Sequence, residues 1–381
     1  VIGTRQKVSR PRLISADGLP FDQRGRSVIA MLTDAARAET YPHPYPNAWY
    51  RLLDAAEVAS GSSTAVDALG KRFLVIRDAG GNISVLDGHC PHLGAELPAG
   101  PLKDNCVTCP FHAWKFEPSG RVRAIPYTDR IPKNLSARTF PAVEQDGQIF
   151  AWLAQHGDNR APAYTIESAP EIASGALVAR GSYDGGIVGM HIMEFVENGP
   201  DVNHFGPVHT QMHLPWSGIN VPGMGVSVAP TWRLDPARPH VAWLDTYATL
   251  TIGGKTLPAL GANASVEFLG PGSVARFHFE KKGVGKLLLY QTHTPIAPLA
   301  QRVRFRWYAS PELPRLASWW VVGHWISQWR DDVRIWEKKI HRKKPHLVAN
   351  DGAILSFRRW FNQFYGETPA ETPLPRGETQ C

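Results

Sequence analysis

The sequence predicts an α+β protein: an N-terminal antiparallel β domain followed by a larger C-terminal α+β domain, an antiparallel sheet with helices. Three features of the 381-residue chain predict it. Short strand-like runs separated by tight turns fill the stretch up to about Ala154. Longer alternating runs occupy roughly Gly225 to Ser310. A single helical pattern then extends from Pro311 to about His341, ending before Pro345. A chain this long can hold two domains, each with its own core. The texture places an N-terminal extension at 1–41, the first domain at 42–158 and the second at 159–381.

Taken in order, residues 1–41 are polar and Arg-rich, with one short helix candidate near Val28 to Ala38. Tyr41-Pro-His-Pro-Tyr-Pro-Asn-Ala-Trp-Tyr50 is an extended, proline-punctuated entry into the first domain. Phe73–Arg77 reads as a strand, Asp78-Ala-Gly-Gly81 as a turn and Ile83–Leu86 as the next strand; Gly147–Leu153 closes the domain. In the second domain, Met190 to Asn203 has a helical pattern. Ser265–Leu269, Val274–Phe279 and Arg302–Tyr308 alternate as strands do. The most apolar stretch, Leu316 to Trp329, is interrupted by Ser318, Gly323, His324, Ser327 and Gln328, so it reads as a buried amphipathic helix and not as a membrane span.

Chemistry enters with Cys90-Pro-His92, then sixteen residues, then Cys109-Pro-Phe-His112. Two thiolates and two imidazoles delivered as two short pairs suit a Rieske-type [2Fe–2S] cluster, the cysteines on one iron and the histidines on the other. The glycines and prolines of Gly88–Gly94 and Cys109–Trp114 fit two turns facing one another across it. Cys106-Val-Thr-Cys109 is formally a C-x2-C pair, but a zinc site built on it leaves one histidine unexplained. A thioredoxin-like motif should open a helix, and here Pro110 and an aromatic strand follow. Cys106 then reads as a packed free thiol and Cys381 as an exposed terminal one. With two of four cysteines committed to iron, no disulfide framework is implied, and a reducing compartment follows.

A second constellation is Glu197-Asn-Gly-Pro-Asp201-Val-Asn-His204-Phe-Gly-Pro-Val-His209. Histidines five apart diverge by about 140° on a regular helix. Gly206 and Pro207 are expected to break that helix and let His209 swing back towards His204. Two histidines and one carboxylate hold open-coordinated iron(II) of the kind that activates dioxygen. Glu197, Asp201, Asp331 and Asp332 are candidates for the carboxylate; Asp332, on the long C-terminal helix, is the favoured one. Asp201, three residues before His204, can hydrogen-bond a ligand imidazole. His89, His191, His293 and His324 receive no role.

The formal net charge of +7 and a pI near 9.2 favour an anionic partner or surface, yet no nucleic-acid-binding module is present. Lys338-Lys-Ile-His-Arg-Lys-Lys344 suits docking of an acidic ferredoxin or an anionic membrane, and equally a solvated helix end. The chain begins at Val1 rather than Met, which fits a missing upstream segment.

Together these motifs resemble the oxygenase component of Rieske non-haem iron oxygenases over nearly all of residues 42–366. Tyr45-Pro-Asn-Ala-Trp-Tyr50, Glu197–Asp201, Gln291-Thr-His-Thr-Pro295, Asp332-Val-Arg-Ile-Trp336 and the stretch from Asp351 to Tyr365 are similar to Neverland-type cholesterol 7-desaturases. The 3-ketosteroid 9α-hydroxylase oxygenases share the last two segments and come next. The resemblance implies Cys90, His92, Cys109 and His112 as cluster ligands, and His204, His209 and Asp332 on the iron. It also implies Asp201 as the acid linking His204 to His112 of a neighbouring copy, hence a homotrimer. Asn203 departs from the small residue usual there. The implied activity is conversion of cholesterol to 7-dehydrocholesterol with O2 and NAD(P)H-derived electrons arriving through a separate ferredoxin or reductase. Steroid hydroxylation is the alternative, and an electron carrier lacking catalytic iron a more distant one. The sterol pocket is expected around Val226–Tyr247 and Leu287–Thr294. Animal members carry an N-terminal membrane segment. The expected location is therefore the cytosolic side of a membrane, the endoplasmic reticulum in a eukaryote, through a segment absent from this sequence, the chain being soluble as given.

Overall fold

The computed structural model describes residues 34–154 and 161–366. Most of the N-terminal extension, the expected boundary at 158 and Cys381 lie outside the described residues, and of the helix candidate at Val28–Ala38 only Ala35–Ala38 falls within them, as helix.

Three small antiparallel sheets make up the first part of the chain. Ala48–Asp54 pairs with Gln148–Leu153, which pairs with Ala142–Gln145. Ser62–Ala68, Lys71–Arg77, Ile83–Asp87 and Thr139–Phe140 form a second sheet, and Leu102–Lys103, Cys106–Thr108, Lys115–Phe116 and Val122–Ala124 a third. The strand Lys71–Arg77 explains their arrangement. Successive side chains of a strand point to opposite faces, and Phe73, Leu74, Val75 and Ile76 are all buried. Phe73 and Val75 join the main hydrophobic core, whereas Leu74 and Ile76 belong to a smaller core with Cys90, Leu97, Val107, Cys109, Trp114 and Phe116. One strand is thus the wall between two cores.

The second part is a nine-stranded antiparallel sheet whose path runs Val178–Val188, Ala300–Ala309, Gly285–Ala297, Val274–Lys281, Lys255–Leu269, Val241–Ile252, Asn220–Ser227 and Gln211–His213, with Thr231–Leu234 added beside Val241–Ile252. The alternating runs read from the sequence are all strands of this sheet. The helix Arg315–Trp336 packs on it through Val322, Ile326, Trp329, Val333 and Trp336, spaced by four and three residues as one buried stripe requires. It is shorter than the expected Pro311–His341. Pro314 directly precedes it, a place where the missing N–H costs nothing. At the other end Arg37 donates to the carbonyls of Trp336 and Lys339, taking up groups a longer helix would have used itself. Lys338–Lys344 therefore follows the helix, and Lys339 turns inward to Glu194 at 2.7 Å.

The helical stretch at Met190 to Asn203 is broken. A helix spans Ile192–Glu197, Gly199 and Pro200 interrupt it, and a 3-10 turn Val202–His204 leads into a short helix Phe205–His209. The expected break at Gly206 and Pro207 is not there. Pro207 lies in the first turn of Phe205–His209, where proline is tolerated. The helix is interrupted before His204, not between His204 and His209 as expected.

Candidate metal centres

The cluster loops are two turns closed on themselves. The Cys90 N–H donates to the Ala95 carbonyl (2.8 Å) and the Gly94 N–H returns to the Cys90 carbonyl (2.9 Å). Likewise the Cys109 N–H reaches the Trp114 carbonyl (2.8 Å) and the Ala113 N–H the Cys109 carbonyl (3.0 Å). Gly94 and Ala113 adopt positive φ to allow this. Cys90 and Cys109 are buried, and the His92 and His112 rings meet at 4.8 Å between centroids, with His92 stacked on Trp114. The His92 Nδ1 is buried with no hydrogen-bond partner among the described residues, and burial pushes the Cys90 thiol up. An orphaned imidazole nitrogen beside facing thiols suits the donor set of a cluster, in which iron would replace the missing partners. Cys106 is a buried free thiol on its own strand, as expected.

The second site gathers His204, His209 and Asp332, whose donor atoms lie within 4.8 Å of one another. His209 Nε2 is 3.0 Å and His204 Nε2 3.9 Å from Asp332 Oδ1. Each ring's other nitrogen is tied back. His204 Nδ1 donates to the Asp201 carbonyl, and His209 Nδ1 to Gln328 Oε1 at 3.1 Å. Carbonyl oxygens only accept, so each Nδ1 carries the hydrogen and each Nε2 faces Asp332, donating to it when the ring is protonated and offering a lone pair when the ring is neutral. Burial lowers the His204 pKa. At His209 burial is outweighed by the hydrogen bond and charge of Asp332, and the pKa is raised. Two converging nitrogen lone pairs and a carboxylate suit a divalent cation, which would do in that space what a shared proton does without it.

The other candidate carboxylates are committed elsewhere. Glu197 makes a two-pronged pair with Arg358 (2.8 and 3.1 Å), and Asp331 holds His213 at 2.7 Å. Asp201 meets His204 through its backbone carbonyl; its side chain lines a separate polar cleft with Lys339, His341 and Arg358. Asn203 donates to the Asn350 carbonyl (2.7 Å). Two polar neighbours escaped the sequence reading. Asn198 donates to Asp332 Oδ1 (3.1 Å), its carbonyl held by the Trp336 indole N–H (3.2 Å). Gln328 precedes Asp332 by four residues on one helix face, a spacing that was readable.

A cavity with an empty volume of about 1040 Å³, open space at its mouth included, leads away from this triad. Its wall is largely apolar: Val226, Val228, Leu244, Val266, Phe268, Phe277, Phe279 and Trp325 take part. The expected stretch Val226–Tyr247 contributes, but Leu287–Thr294 does not. Its residues are buried behind the wall, where Gln291 accepts from the Trp325 indole at 3.2 Å.

Comparison with known proteins agrees with this layout. Residues 48–141 match the Rieske [2Fe-2S] domain and residues 152–365 the 3-ketosteroid 9alpha-hydroxylase C-terminal domain. The chain is 32% identical over 359 residues to cholesterol 7-desaturase nvd of Xenopus laevis, covering 91% of this chain and 78% of that protein. It is 26% identical over 344 residues to a probable 3-ketosteroid-9-alpha-monooxygenase, oxygenase component, of Rhodococcus rhodochrous, covering 86% and 81%. The solved structure of dicamba monooxygenase bound to dicamba superposes with a TM-score of 0.60 at 17% identity, over 84% of this chain and 97% of that one, a likeness of fold. The chain therefore belongs to the Rieske oxygenases, in the branch that joins a Rieske [2Fe-2S] domain to a 3-ketosteroid 9α-hydroxylase C-terminal domain and includes the cholesterol 7-desaturases, and it is an oxidoreductase.

Proposed function

We propose that this chain is the oxygenase component of a sterol desaturase that removes hydrogens from C7 and C8 of cholesterol to give 7-dehydrocholesterol. It would use O2 and NAD(P)H-derived electrons delivered by a separate ferredoxin or reductase. The observation that carries this reading is the apolar cavity bounded at one end by His204, His209 and Asp332. A sterol offers one hydroxyl and a large apolar body, so burial and shape dominate its recognition. The identity to cholesterol 7-desaturases adds support.

In this reading Cys90, His92, Cys109 and His112 hold the cluster, and His204, His209 and Asp332 hold one iron(II). When bound, the cluster supplies single electrons and the iron the activation of dioxygen for attack on an unactivated C–H bond. The protein's own share is positioning. Asp201 and Gln328 fix the two imidazoles. Asn198, oriented by Trp336, braces Asp332. The apolar wall places the ring system and keeps water from the reacting carbons. Asp201 is assigned the link to His112 of a neighbouring copy in a head-to-tail trimer; the exposed Leu93 and Phe111 beside the cluster histidines support such a contact. Membrane-surface contact is assigned to exposed Leu316, Trp319 and Trp320 at the start of the long helix. Among the described residues no helix is long and apolar enough to cross a membrane.

The C-terminal match to 3-ketosteroid 9α-hydroxylase keeps hydroxylation as the second reading, since both outcomes begin with hydrogen abstraction. Incubating the purified protein with a reductase, NADH and cholesterol, then weighing the product, separates them. Loss of two hydrogens is expected; gain of one oxygen supports hydroxylation, and an unchanged sterol overturns both.

A further inference from the structure

His324 is the one ring nitrogen acceptor of the cavity wall outside the triad, and the triad and its braces leave it unused. It lies on the same helix face as Gln328 and Asp332, at successive spacings of four residues. Eight residues are about 12 Å of helix, which separates His324 from Asp332 along that face. Its Nδ1 is 3.3 Å from the His213 carbonyl. A carbonyl cannot donate, so Nδ1 carries the hydrogen, and the Nε2 of the neutral ring is a bare acceptor. No described residue hydrogen-bonds that Nε2. Burial holds the His324 pKa below the usual imidazole value, which keeps the ring neutral near neutral pH.

We propose that His324 is the specificity-determining residue of the cavity, its Nε2 accepting a hydrogen bond from the substrate's hydroxyl, so that a 3-hydroxysterol is taken in preference to the matching 3-ketone. This rests on the sterol reading above and sharpens it. A ketone oxygen has no hydrogen to give; brought against Nε2 it leaves two acceptors face to face and both unpaired, whereas the alcohol satisfies the ring. Two wall residues carry further unpartnered polar atoms, and neither discriminates between the two sterols: Thr246 Oγ1 can both donate and accept, and the Trp329 indole N–H can donate to a hydroxyl or a ketone oxygen alike.

The test is equilibrium binding of cholesterol and of cholest-5-en-3-one to the intact, metal-loaded protein, followed by tryptophan fluorescence. The native protein should bind the alcohol about tenfold tighter than the ketone. His324→Leu should weaken the alcohol to the level of the ketone and leave ketone binding unchanged, which also reports an intact cavity. His324→Gln, which keeps an acceptor, should retain part of the preference, and Thr246→Val all of it. Equal affinity of the native protein for the two, an undiminished preference in His324→Leu, or a preference lost in Thr246→Val overturns the assignment while leaving the sterol reading standing. Failure of the native protein to bind either sterol overturns both.

Discussion

At the scale of single residues, the proposed iron site depends on what holds each candidate ligand still. Gln328 reaches His209 only through Nδ1, so Gln328→Leu removes an orienting bond and spares the ligand. Metal affinity at the site is expected to fall by about 10- to 100-fold, read by titrating iron(II) into the protein while the cluster spectrum stays unchanged. Glu267 makes a different prediction. It is buried; burial alone would raise its pKa, but His278, Arg276 and Arg238 outweigh that and hold it near 2. A carboxyl whose folded pKa lies below its ordinary value stabilises the fold above about pH 4.5, and that stability drains away as pH falls towards 2. The native protein's advantage over Glu267→Gln in denaturant unfolding, roughly 3 kcal/mol at most near neutrality, should shrink between about pH 5 and pH 3. Residue chemistry was the most legible layer of the sequence. Cys90, His92, Cys109 and His112 announce themselves because few other sites want two thiolates and two imidazoles so spaced. Asp332 was one of four carboxylates, and what separates them is long-range: Arg358 claims Glu197 and His213 claims Asp331. Asn198 was hidden because Gly199 and Pro200 break the helix that would have related it to His204.

At the scale of elements, the long helix shows how propensity yields to packing. Gly323 sits in its middle, where alanine would ordinarily gain about 1 kcal/mol. A Cβ there would fall 2.2 Å from the Trp216 Nε1. The indole cannot step aside freely, because the Trp216 backbone N–H donates to the Gly323 carbonyl (3.0 Å) and its Nε1 to the Trp319 carbonyl (3.2 Å). Gly323→Ala should therefore destabilise by about 1–3 kcal/mol in urea unfolding; a gain of stability would contradict this packing. The sequence reading starts this helix at Pro311, whereas it begins at Arg315, directly after Pro314. Its end was not readable, since Arg37, some three hundred residues earlier, takes the terminal carbonyls. The approach of His204 to His209 was expected, but its cause was misplaced. Gly199 and Pro200 break the chain before both histidines; between them the 3-10 turn Val202–His204 passes into the short helix Phe205–His209, whose first turn accommodates Pro207.

At the scale of the whole molecule, the two cores are unequal, and the cluster loops rest on the smaller. The wall strand lets them be addressed separately. Leu74→Ala, on the side of the small core, should lower the temperature at which cluster absorbance is lost, leaving the main unfolding of the large sheet nearly unmoved; coincident shifts would show a single cooperative unit. Alternation told which faces of strands are buried but not against what. Ala48–Asp54 and Gln148–Leu153 frame the first part of the chain, yet they pack into the main core with the second.

His204, His209 and Asp332 are proposed to form a reaction centre separate from the cluster that would feed it. Iron analysis of Asp332→Ala, with the cluster spectrum and product formation measured on the same sample, tests it most directly. The expected result is a fall from three irons per chain to the two of an intact [2Fe–2S] cluster, an unchanged cluster spectrum and no sterol product. Three retained irons with undiminished product would contradict it.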